Sequence, residues 1–215
     1  TDSATAAAQL ANGMACDGRR YTLFASIPTG GSAFATLQAM LDMSPEALGE
    51  CIADLADRYR RDAIDLDALP VVVPHFRGSP PPHKSAIARG LIADVGTDVR
   101  AEDIVFATFV GMALQFKSVM DLFGPAQAGV KIIGPASENP LWLQLKADVL
   151  QSDLSVSTFS EVVSRGAQAL ASETGTDWAG VQPFVVEPDA GRHQALLEQR
   201  ERSRAVLRDV ADRAW

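Results

Sequence analysis

The chain has 215 residues, of which 47% are hydrophobic and 21% are charged, and its formal net charge is −8. This composition is ordinary for a globular protein, and the length corresponds to one large domain or two small ones. The acidic balance argues against a general nucleic-acid-binding protein, which needs a basic face to contact phosphates. A nucleotide ligand is not excluded, because a few backbone amides and a metal ion are enough to hold its phosphates.

The cysteines and the N-terminus bear on the cellular compartment. Cys16 and Cys51 are isolated thiols, which form neither a disulfide framework nor a metal-ligand cluster. We therefore expect reduced thiols in a cytoplasmic protein. We expect no signal peptide, since no basic segment precedes an apolar run, and no stretch that approaches the ~20 apolar residues of a membrane span. The chain begins at Thr1 rather than Met, which we interpret as the start of a processed or excised segment.

The predicted elements of the first 70 residues are helical apart from one apolar run. They are an Ala-rich helix over Ala4–Ala11 that ends at Asn12-Gly13, an apolar run over Tyr21–Ile27, and helices over Ala33–Met43 and Ser44–Arg61. Ser44 is a good N-cap, and Pro45 suits the first helical position. Apolar side chains at helical spacing give the helix after Ser44 one face to bury.

The turn before the helix Ala33–Met43 is a candidate ligand-binding segment. Its sequence places the glycine pair Gly30 and Gly31 directly before the helix. A glycine pair that opens a helix leaves bare amide groups at the helix N-terminus, and such groups commonly bind phosphate. A tight turn that needs glycine only for its backbone has the same spacing, so both interpretations stay open.

The middle of the chain predicts two strands and the longest helix. The strands cover Val71–Phe76 and Arg89–Val95, and a proline-rich loop over Arg77–Lys84 separates them. The helical pattern runs over Ala101–Phe123. Gly111 in its interior costs up to about 1 kcal/mol relative to alanine, which points to a close crossing by another backbone.

From Val130 onward the chain alternates strands with helices, so the predicted class is α/β. The strands are Val130–Ile133 and Leu154–Thr158, and the helices are Leu141–Gln151, Glu161–Ser172 and His193–Ala214. Asn139 is a good N-cap before Pro140, and Thr158 or Ser160 is expected to cap the next helix. Ligands in such folds bind where a strand ends and a helix begins, which is the position of the turn Gly134–Pro140.

Three segments in this order resemble the C-terminal domain of the FGGY carbohydrate kinase family. The most specific is Ile132–Leu150, where a strand, a glycine, a polar stretch with asparagine, and a helix with Gln and an Ala-Asp pair follow one another. The second is Glu161–Ser172, a helix with a Gly-Ala centre for which we expect tight packing at Gly166. The third is Val73–Gly78, followed by an Arg-Gly strand at Arg89–Ile92 and by the long helix.

The resemblance implies an α/β, ribonuclease H-like or actin-like ATPase domain with a mixed sheet flanked by helices. It implies that residues 1–215 form a C-terminal FGGY kinase domain, incomplete at its N-terminal edge and without the N-terminal sugar-binding domain. The parent protein would be an ATP-dependent carbohydrate kinase that uses ATP and Mg²⁺ and phosphorylates a hydroxyl of a small sugar or polyol. The isolated chain would be inactive, cytoplasmic, able to form a homodimer, and without nucleic-acid or membrane partners.

The same resemblance implies ATP-binding roles for four residues. Gly31 matches a family glycine that approaches the nucleotide, with Gly30 beside it. Gly134 matches the first glycine of a pair close to the adenosine, and Asn139 matches an asparagine at the adenine. The second glycine of that pair is Pro135 here, which has no amide hydrogen to donate. Taken alone, Gly134 is better explained as a strand-ending turn and Asn139 as a plain helix cap, and it is the family resemblance that favours the nucleotide roles.

Phosphoryl transfer needs a group that takes the proton of the sugar hydroxyl. The family places an aspartate in a Gly-x-x-Asp-x-x-x-Ala setting, and Thr1–Ala8 is similar, so Asp2 is the candidate catalytic base. The Gly-Thr-Ser or Gly-Thr-Thr turn that cradles phosphate in the family is missing between Asp2 and Gly31. An N-cap role for Asp2 on the Ala-rich helix therefore stays an equal alternative.

Two other interpretations compete with the kinase. The proline at position 135 and the missing phosphate turn are compatible with a non-catalytic actin-like domain that binds a nucleotide or a partner, and also with a scaffold that binds no nucleotide. No protein-bound metal is predicted, because no histidine has a second ligand at suitable spacing. The histidines are His75, His83 and His193.

Overall fold

A computed structural model describes residues 8–16, 18–124, 129–159, 161–172 and 182–213. The helices are α1 (Ser32–Leu41), α2 (Pro45–Arg60), α3 (Ala101–Met120), α4 (Pro140–Leu150), α5 (Val162–Ala171) and α6 (Ala190–Arg213). The strands are β1 (Ala11–Met14), β2 (Tyr21–Phe24), β3 (Val71–Val73), β4 (Leu91–Ala93), β5 (Val130–Ile132), β6 (Leu154–Val156) and β7 (Phe184–Val186). Short 3₁₀ turns follow α3 at Asp121–Phe123 and precede α4 at Pro135–Glu138.

The strands form three small sheets. β1 pairs with β2, and β3 pairs with β4, each in an antiparallel hairpin. β5 and β6 are parallel, with Lys131 opposite Ser155, and β7 is antiparallel to β6, with Val185 opposite Ser155. A parallel pair needs a crossover connection, and α4 provides it. The result is a mixed three-stranded sheet with helices packed beside it, which confirms the predicted α/β class.

Helix α3 is the centre of the main hydrophobic core. Every residue from Val105 to Gln115 is buried, as expected for a helix that is apolar on all sides. By length and composition, residues Ala101–Phe123 would also suffice to cross a membrane, and 67% of the apolar window is buried inside the fold. The expectation that no stretch approaches a membrane span is thus wrong for α3. Its apolar surface is covered by neighbouring elements, as in the core helix of a globular domain.

Two helical glycines have opposite environments. A Cβ atom at Gly111 would overlap the carbonyl oxygen of Val72 and lie 3.0 Å from Cδ of Pro74. This confirms that α3 crosses β3 at backbone distance. At Gly166 a Cβ atom would meet nothing within 4 Å, and no residue of α5 is buried. The tight packing expected at the centre of α5 is therefore wrong.

The N-terminal part of the chain differs from its helical prediction. Ala11 begins β1, in which Asn12 lies opposite Leu23 and Gly13 lies opposite Thr22. Asn12-Gly13 therefore belongs to a hairpin strand and does not end a helix. Residues 1–7 of the chain lie outside the described residues. The reason for the difference is that a strand depends on its partner, which local helix propensity does not take into account.

The start of α5 also differs from its prediction. Its N-cap is Glu161, which makes no side-chain capping hydrogen bond. Of the two expected caps, Ser160 lies outside the described residues, and the Thr158 hydroxyl donates instead to the Gln182 carbonyl at 3.4 Å. That contact joins the ends of β6 and β7, so Thr158 supports the sheet rather than the helix.

A buried carboxylate connects three helices. Asp148 in α4 is 0% exposed. It accepts hydrogen bonds from the Tyr59 hydroxyl, Gln144 Nε2 and the Asp189 amide, each at 2.8 Å. Arg192 Nη1 lies 3.9 Å from the same carboxylate. Asp148 therefore ties the end of α2 and the start of α6 to α4.

Candidate nucleotide-binding site

The turn before α1 presents an open backbone. Gly31 is the N-cap residue, with φ −54° and ψ −25°, and the Ala33 amide donates to the Gly30 carbonyl at 2.9 Å. Both glycines are exposed, and a Cβ atom added at either one would meet nothing within 4 Å. Neither packing nor a positive φ thus requires glycine at these two positions. Because neither residue has a side chain, a ligand has room to approach the backbone of this turn.

Two buried hydroxyl groups flank this glycine pair without hydrogen-bond partners. Within the described residues, neither Thr29 Oγ1 nor Ser32 Oγ has a partner, although Thr29 is only 3% exposed. Buried polar atoms in native proteins almost always have a partner, so unpaired ones need an explanation. Neither residue is among the site residues that the family resemblance implies. The usable signal was a Thr and a Ser that directly enclose a glycine pair at a helix start.

In the turn between β5 and α4, the backbone conformation explains the glycine. Gly134 has φ 84° and ψ −174°, a conformation that favours glycine. The Ser137 amide and hydroxyl both donate to the Gly134 carbonyl, at 2.9 Å and 2.7 Å. Pro135 opens the following 3₁₀ turn. The backbone alone accounts for this glycine, and a Cβ atom there would still meet nothing within 4 Å.

Asn139 is the N-cap of α4, as its sequence position indicates. Its Oδ1 accepts a hydrogen bond from the Trp142 amide at 3.0 Å. The cap uses only the oxygen of the carboxamide. No acceptor for Asn139 Nδ2 occurs among the residues that the structure describes, so the side chain keeps two donor hydrogens for another group.

An aromatic bridge links the first turns of α1 and α4 through α3. Phe34 lies in the first turn of α1, and Trp142 lies in the first turn of α4. The Phe109 ring of α3 lies between them, with its centroid 5.7 Å from that of Phe34 and 6.1 Å from that of Trp142. Tilted and edge-on contacts at such distances are favourable aromatic geometries. The first turns of α1 and α4, which follow Gly31 and Asn139, therefore both pack against Phe109 of α3.

The electrostatics of this region favour an anion. Each helix N-terminus carries partial positive charge from its unsatisfied amides. Lys146, one turn further along α4, places its ammonium 4.4 Å from the centroid of the Trp142 ring and 5.0 Å from that of Phe116. Burial lowers the pKa of Lys146 to about 8. Lys146 is likewise not among the site residues that the family resemblance implies.

Two further predicted features are the catalytic base Asp2 and the Mg²⁺ ion. Asp2 lies outside the described residues. Among the residues that are described, no group of three or more His, Cys, Asp or Glu side chains could hold a metal ion. A Mg²⁺ ion that arrives with a nucleotide usually keeps phosphate oxygens and water as ligands, so such an ion does not require a protein cluster.

Curated relatives are glycerol kinases. The glycerol kinase of Francisella tularensis subsp. holarctica is 28% identical over 185 residues, which is 80% of this chain and 37% of the relative. That of Francisella philomiragia subsp. philomiragia is 31% identical over 137 residues, or 62% of this chain and 28% of the relative. The chain thus spans 37% or less of the length of these two proteins.

Solved sugar kinases share the fold. The structure of Plasmodium falciparum glycerol kinase with ADP matches with a TM-score of 0.68 and 19% identity, over 93% of this chain and 42% of that one. A ligand-bound xylulose kinase from Lactobacillus acidophilus matches with a TM-score of 0.71 and 16% identity, over 91% and 41%. Residues 2–173 match the family described as the FGGY family of carbohydrate kinases, C-terminal domain. The domain therefore has the actin-like ATPase fold, and the chain belongs to the FGGY family of carbohydrate kinases.

Proposed function

We propose that this chain is the ATP-binding half of a carbohydrate kinase that transfers the γ-phosphoryl group of ATP to a hydroxyl of a small sugar or polyol. The observation that carries the proposal is the aromatic bridge through Phe109, which contacts the first turns of both α1 and α4. Family membership and relatives named glycerol kinase support the same reaction class.

The proposed nucleotide position uses both helix starts. The amides around Gly30 and Gly31 contact phosphate oxygens, and the hydroxyl groups of Thr29 and Ser32 are free to donate beside them. Helix N-termini bind phosphates through such amides and through their dipole. Gly134 lets the adenosine lie against the backbone, since no side chain fills the space there.

The proposed role of Asn139 divides its carboxamide between two tasks. The oxygen caps α4, and the amide nitrogen donates to a ring nitrogen of adenine. Pro135 removes one backbone donor next to Gly134, so the adenosine end of the pocket has one hydrogen bond fewer than a second glycine would allow. We expect this loss to weaken nucleotide affinity without preventing binding.

The proposed catalytic arrangement needs a second domain. Phosphoryl transfer depends on alignment and on the exclusion of water, which requires a wall opposite the nucleotide. We propose that residues 1–215 are a C-terminal domain that is incomplete at its N-terminal edge, that an N-terminal sugar-binding domain supplies that wall, and that Asp2 is the general base. Mg²⁺ bound with ATP would neutralise charge on the transferred phosphoryl group.

The cellular context is part of the same proposal. Cys16 is exposed and Cys51 is half-buried, and both are free thiols, which suits a reducing compartment. We propose a cytoplasmic protein that forms homodimers and has no nucleic-acid partner.

The nucleotide site is tested by exchanging two helix caps. Asn139→Ser keeps an N-cap oxygen on α4 but removes the carboxamide nitrogen. Calorimetric titration with MgADP should give an affinity about tenfold lower for this variant, the loss expected for one hydrogen bond to a buried ligand group. The matched control is Ser44→Asn, the reverse exchange at the N-cap of α2, which should bind like the parent chain.

Two outcomes would overturn the site. One is the absence of binding heat with the parent chain at millimolar MgADP. The other is equal affinity for Asn139→Ser and the parent chain at equal thermal stability, which would leave Asn139 as a helix cap only.

A second candidate function is a non-catalytic actin-like domain that binds a nucleotide or a partner. Pro135, which opens the 3₁₀ turn of the site without an amide hydrogen, favours it. Turnover assays on the complete protein separate the two candidates. With ATP and a panel of sugars and polyols, a kinase releases ADP, and Asp2→Asn should abolish that release. ATP binding without ADP release from any acceptor supports the non-catalytic function.

A further inference from the structure

A second cleft lies on the opposite side of α3 from the candidate nucleotide site. Its volume is about 640 Å³, which is within the usual range for small-molecule sites. The α3 residues that line it are Gly111, Leu114, Gln115 and Ser118. At 100° per residue these four positions point away from Phe109. The cleft is therefore separate from the aromatic bridge and from the two helix starts beside it.

One wall of the cleft is apolar. It is formed by β3, by the proline-rich loop that follows it, and by leucines of α3 and α6. The residues are Val72, Val73, Pro74, Pro81, Leu114 and Leu207. Such a wall suits the carbon body of a ligand, because contact with it removes apolar surface from water.

A buried amide lines the cleft without hydrogen-bond partners. Gln115 is 8% exposed, and neither Nε2 nor Oε1 has a partner among the described residues. Arg200 Nε, which belongs to another lining residue, is likewise buried and unpaired. Buried polar atoms are nearly always paired. A donor and an acceptor left open beside an accessible cleft therefore point to a ligand that carries polar groups.

Three arginines of α6 add positive charge. Arg200, Arg204 and Arg208 line the cleft on successive turns of the helix. Arg200 Nη2 contacts Asp121 Oδ2 at 3.1 Å, and Arg204 Nη1 contacts Glu201 Oε1 at 2.8 Å. Within the described part of the chain, Arg208 makes neither an ion pair nor a side-chain hydrogen bond.

The negative charge of the cleft does not balance these arginines. Asp121 is the one carboxylate among the lining residues that the structure describes, and it is also shared with Lys117 at 2.9 Å. The guanidinium group matches phosphate geometry and stays charged at all physiological pH values. The surplus of arginine therefore selects an anionic ligand.

We propose that this cleft binds a small phosphorylated organic molecule. Its phosphate contacts Arg204 and Arg208, its carbon body lies on the apolar wall, and a polar group at its far end meets the Gln115 amide. A doubly charged phosphate monoester suits two neighbouring guanidinium groups better than a singly charged carboxylate does. The proposal is independent of the nucleotide site, because no residue is shared between the two.

The test uses 4-nitrophenyl phosphate as the probe for this chain. The probe combines a phosphate, an apolar ring and a terminal hydrogen-bond acceptor. By calorimetry it should bind more tightly than inorganic phosphate, 4-nitrophenol or 4-nitrobenzoate. Arg208→Gln and Gln115→Met should each weaken binding about tenfold, since each removes one partner of a charged or buried group. Arg61→Gln removes the same charge from an exposed residue that does not line the cleft and should change nothing.

Four results would overturn the proposal. They are the absence of heat at millimolar probe, affinities of both variants equal to that of the parent chain, tighter binding of 4-nitrobenzoate, and displacement of the probe by MgADP. The last result would place the probe in the nucleotide site. Arg208 is exposed, so Arg208→Gln still decides the question if Gln115→Met does not fold. A chain that binds the probe and no MgADP would refute the nucleotide site alone.

Discussion

Asp148 shows how one buried charge can hold several elements. Burial raises the pKa of its carboxyl group, while hydrogen bonds from Asp189, Gln144 and Tyr59 and the charge of Arg192 act in the opposite direction. Burial also raises the pKa of Tyr59 above its ordinary value, so the phenol remains a hydrogen-bond donor to the carboxylate. A buried carboxylate of this kind is tolerated only because every side of it is paired.

Removing the Asp148 carboxylate should therefore lower the stability of the fold substantially. Asp148→Ala leaves the guanidinium of Arg192 and the hydroxyl of Tyr59 without their buried partner, and we expect the free energy of unfolding to fall by about 3–5 kcal/mol. Tyr59→Phe removes one hydrogen bond and should cost about 1–2 kcal/mol. Asp54→Ala is the control, because its contact with Arg58 at 3.6 Å is exposed and should cost less than about 1 kcal/mol. Urea unfolding measures all three, and an Asp148→Ala cost as small as that of the control would contradict the network.

Lys146 gives a pH-dependent prediction. Burial lowers its pKa from an ordinary 10.5 to about 8, although the ring faces of Trp142 and Phe116 offset part of the cost of burying the charge. Between these two pH values the unfolded chain holds a proton that the folded chain has released. The free energy of unfolding must then increase as the pH rises.

The comparison with Lys146→Met isolates this effect. The difference in unfolding free energy between the parent chain and the variant should be constant below pH about 8 and then shift in favour of the parent chain by about 1–3 kcal/mol up to pH about 10. Urea unfolding at intervals of one pH unit measures the difference. A constant difference up to pH 10 would mean that the lysine titrates as it does in water.

At the scale of the elements, the contact between α3 and β3 depends on the missing side chain of Gly111. Alanine has the better helix propensity by up to about 1 kcal/mol, but its Cβ would overlap the Val72 carbonyl. We expect Gly111→Ala to destabilise the protein by about 1–3 kcal/mol, the usual cost of overpacking. Gly49→Ala in α2 is the matched control. Its Cβ would meet nothing within 4 Å, so thermal unfolding should show stabilisation there, and stabilisation at both positions would contradict the close crossing.

The elements that the sequence predicts well are those whose ends depend on local chemistry. Ser44 accepts a hydrogen bond from the Ala47 amide at 3.2 Å, and Asn139 caps α4 in the same way, so both helix starts lie where capping places them. The strands β1 and β7 were not predicted as such. Both are largely exposed short segments, and their pairing depends on partners that periodicity along the chain does not reveal.

The candidate site was predictable in its parts and not in its assembly. The glycines and Asn139 follow from their positions before helices and from the family resemblance. The bridge through Phe109 joins residues 34, 109 and 142, which are far apart in the chain. The unpaired hydroxyls of Thr29 and Ser32 are visible only when burial is known. The packing of several elements against α3 decides both features.

At the scale of the whole molecule, the C-terminal helix α6 is hydrogen-bonded to the loop before β3, in the middle of the chain. Arg202 Nη1 donates to the Asp67 carbonyl at 2.8 Å, and its Nη2 donates to the Leu69 carbonyl at 3.1 Å. Gln199 Nε2 donates to the Leu66 carbonyl. These contacts span more than 130 residues of chain. They hold the loop that leads into β3, and so they fix one wall of the proposed phosphate cleft.

Two arginines of α6 test whether these specific hydrogen bonds, rather than positive charge in general, hold the helix in place. Arg202→Ala leaves the carbonyls of Asp67 and Leu69 without their donor, and we expect it to lower the free energy of unfolding by about 1–3 kcal/mol. Arg204→Ala, two positions along the helix, removes an exposed pair with Glu201 and should cost less than about 1 kcal/mol. Urea unfolding followed by tryptophan fluorescence measures both. If the two variants lose the same small amount, α6 is held by its apolar face around Leu196 alone, and the polar contacts to the loop before β3 add nothing to the closure.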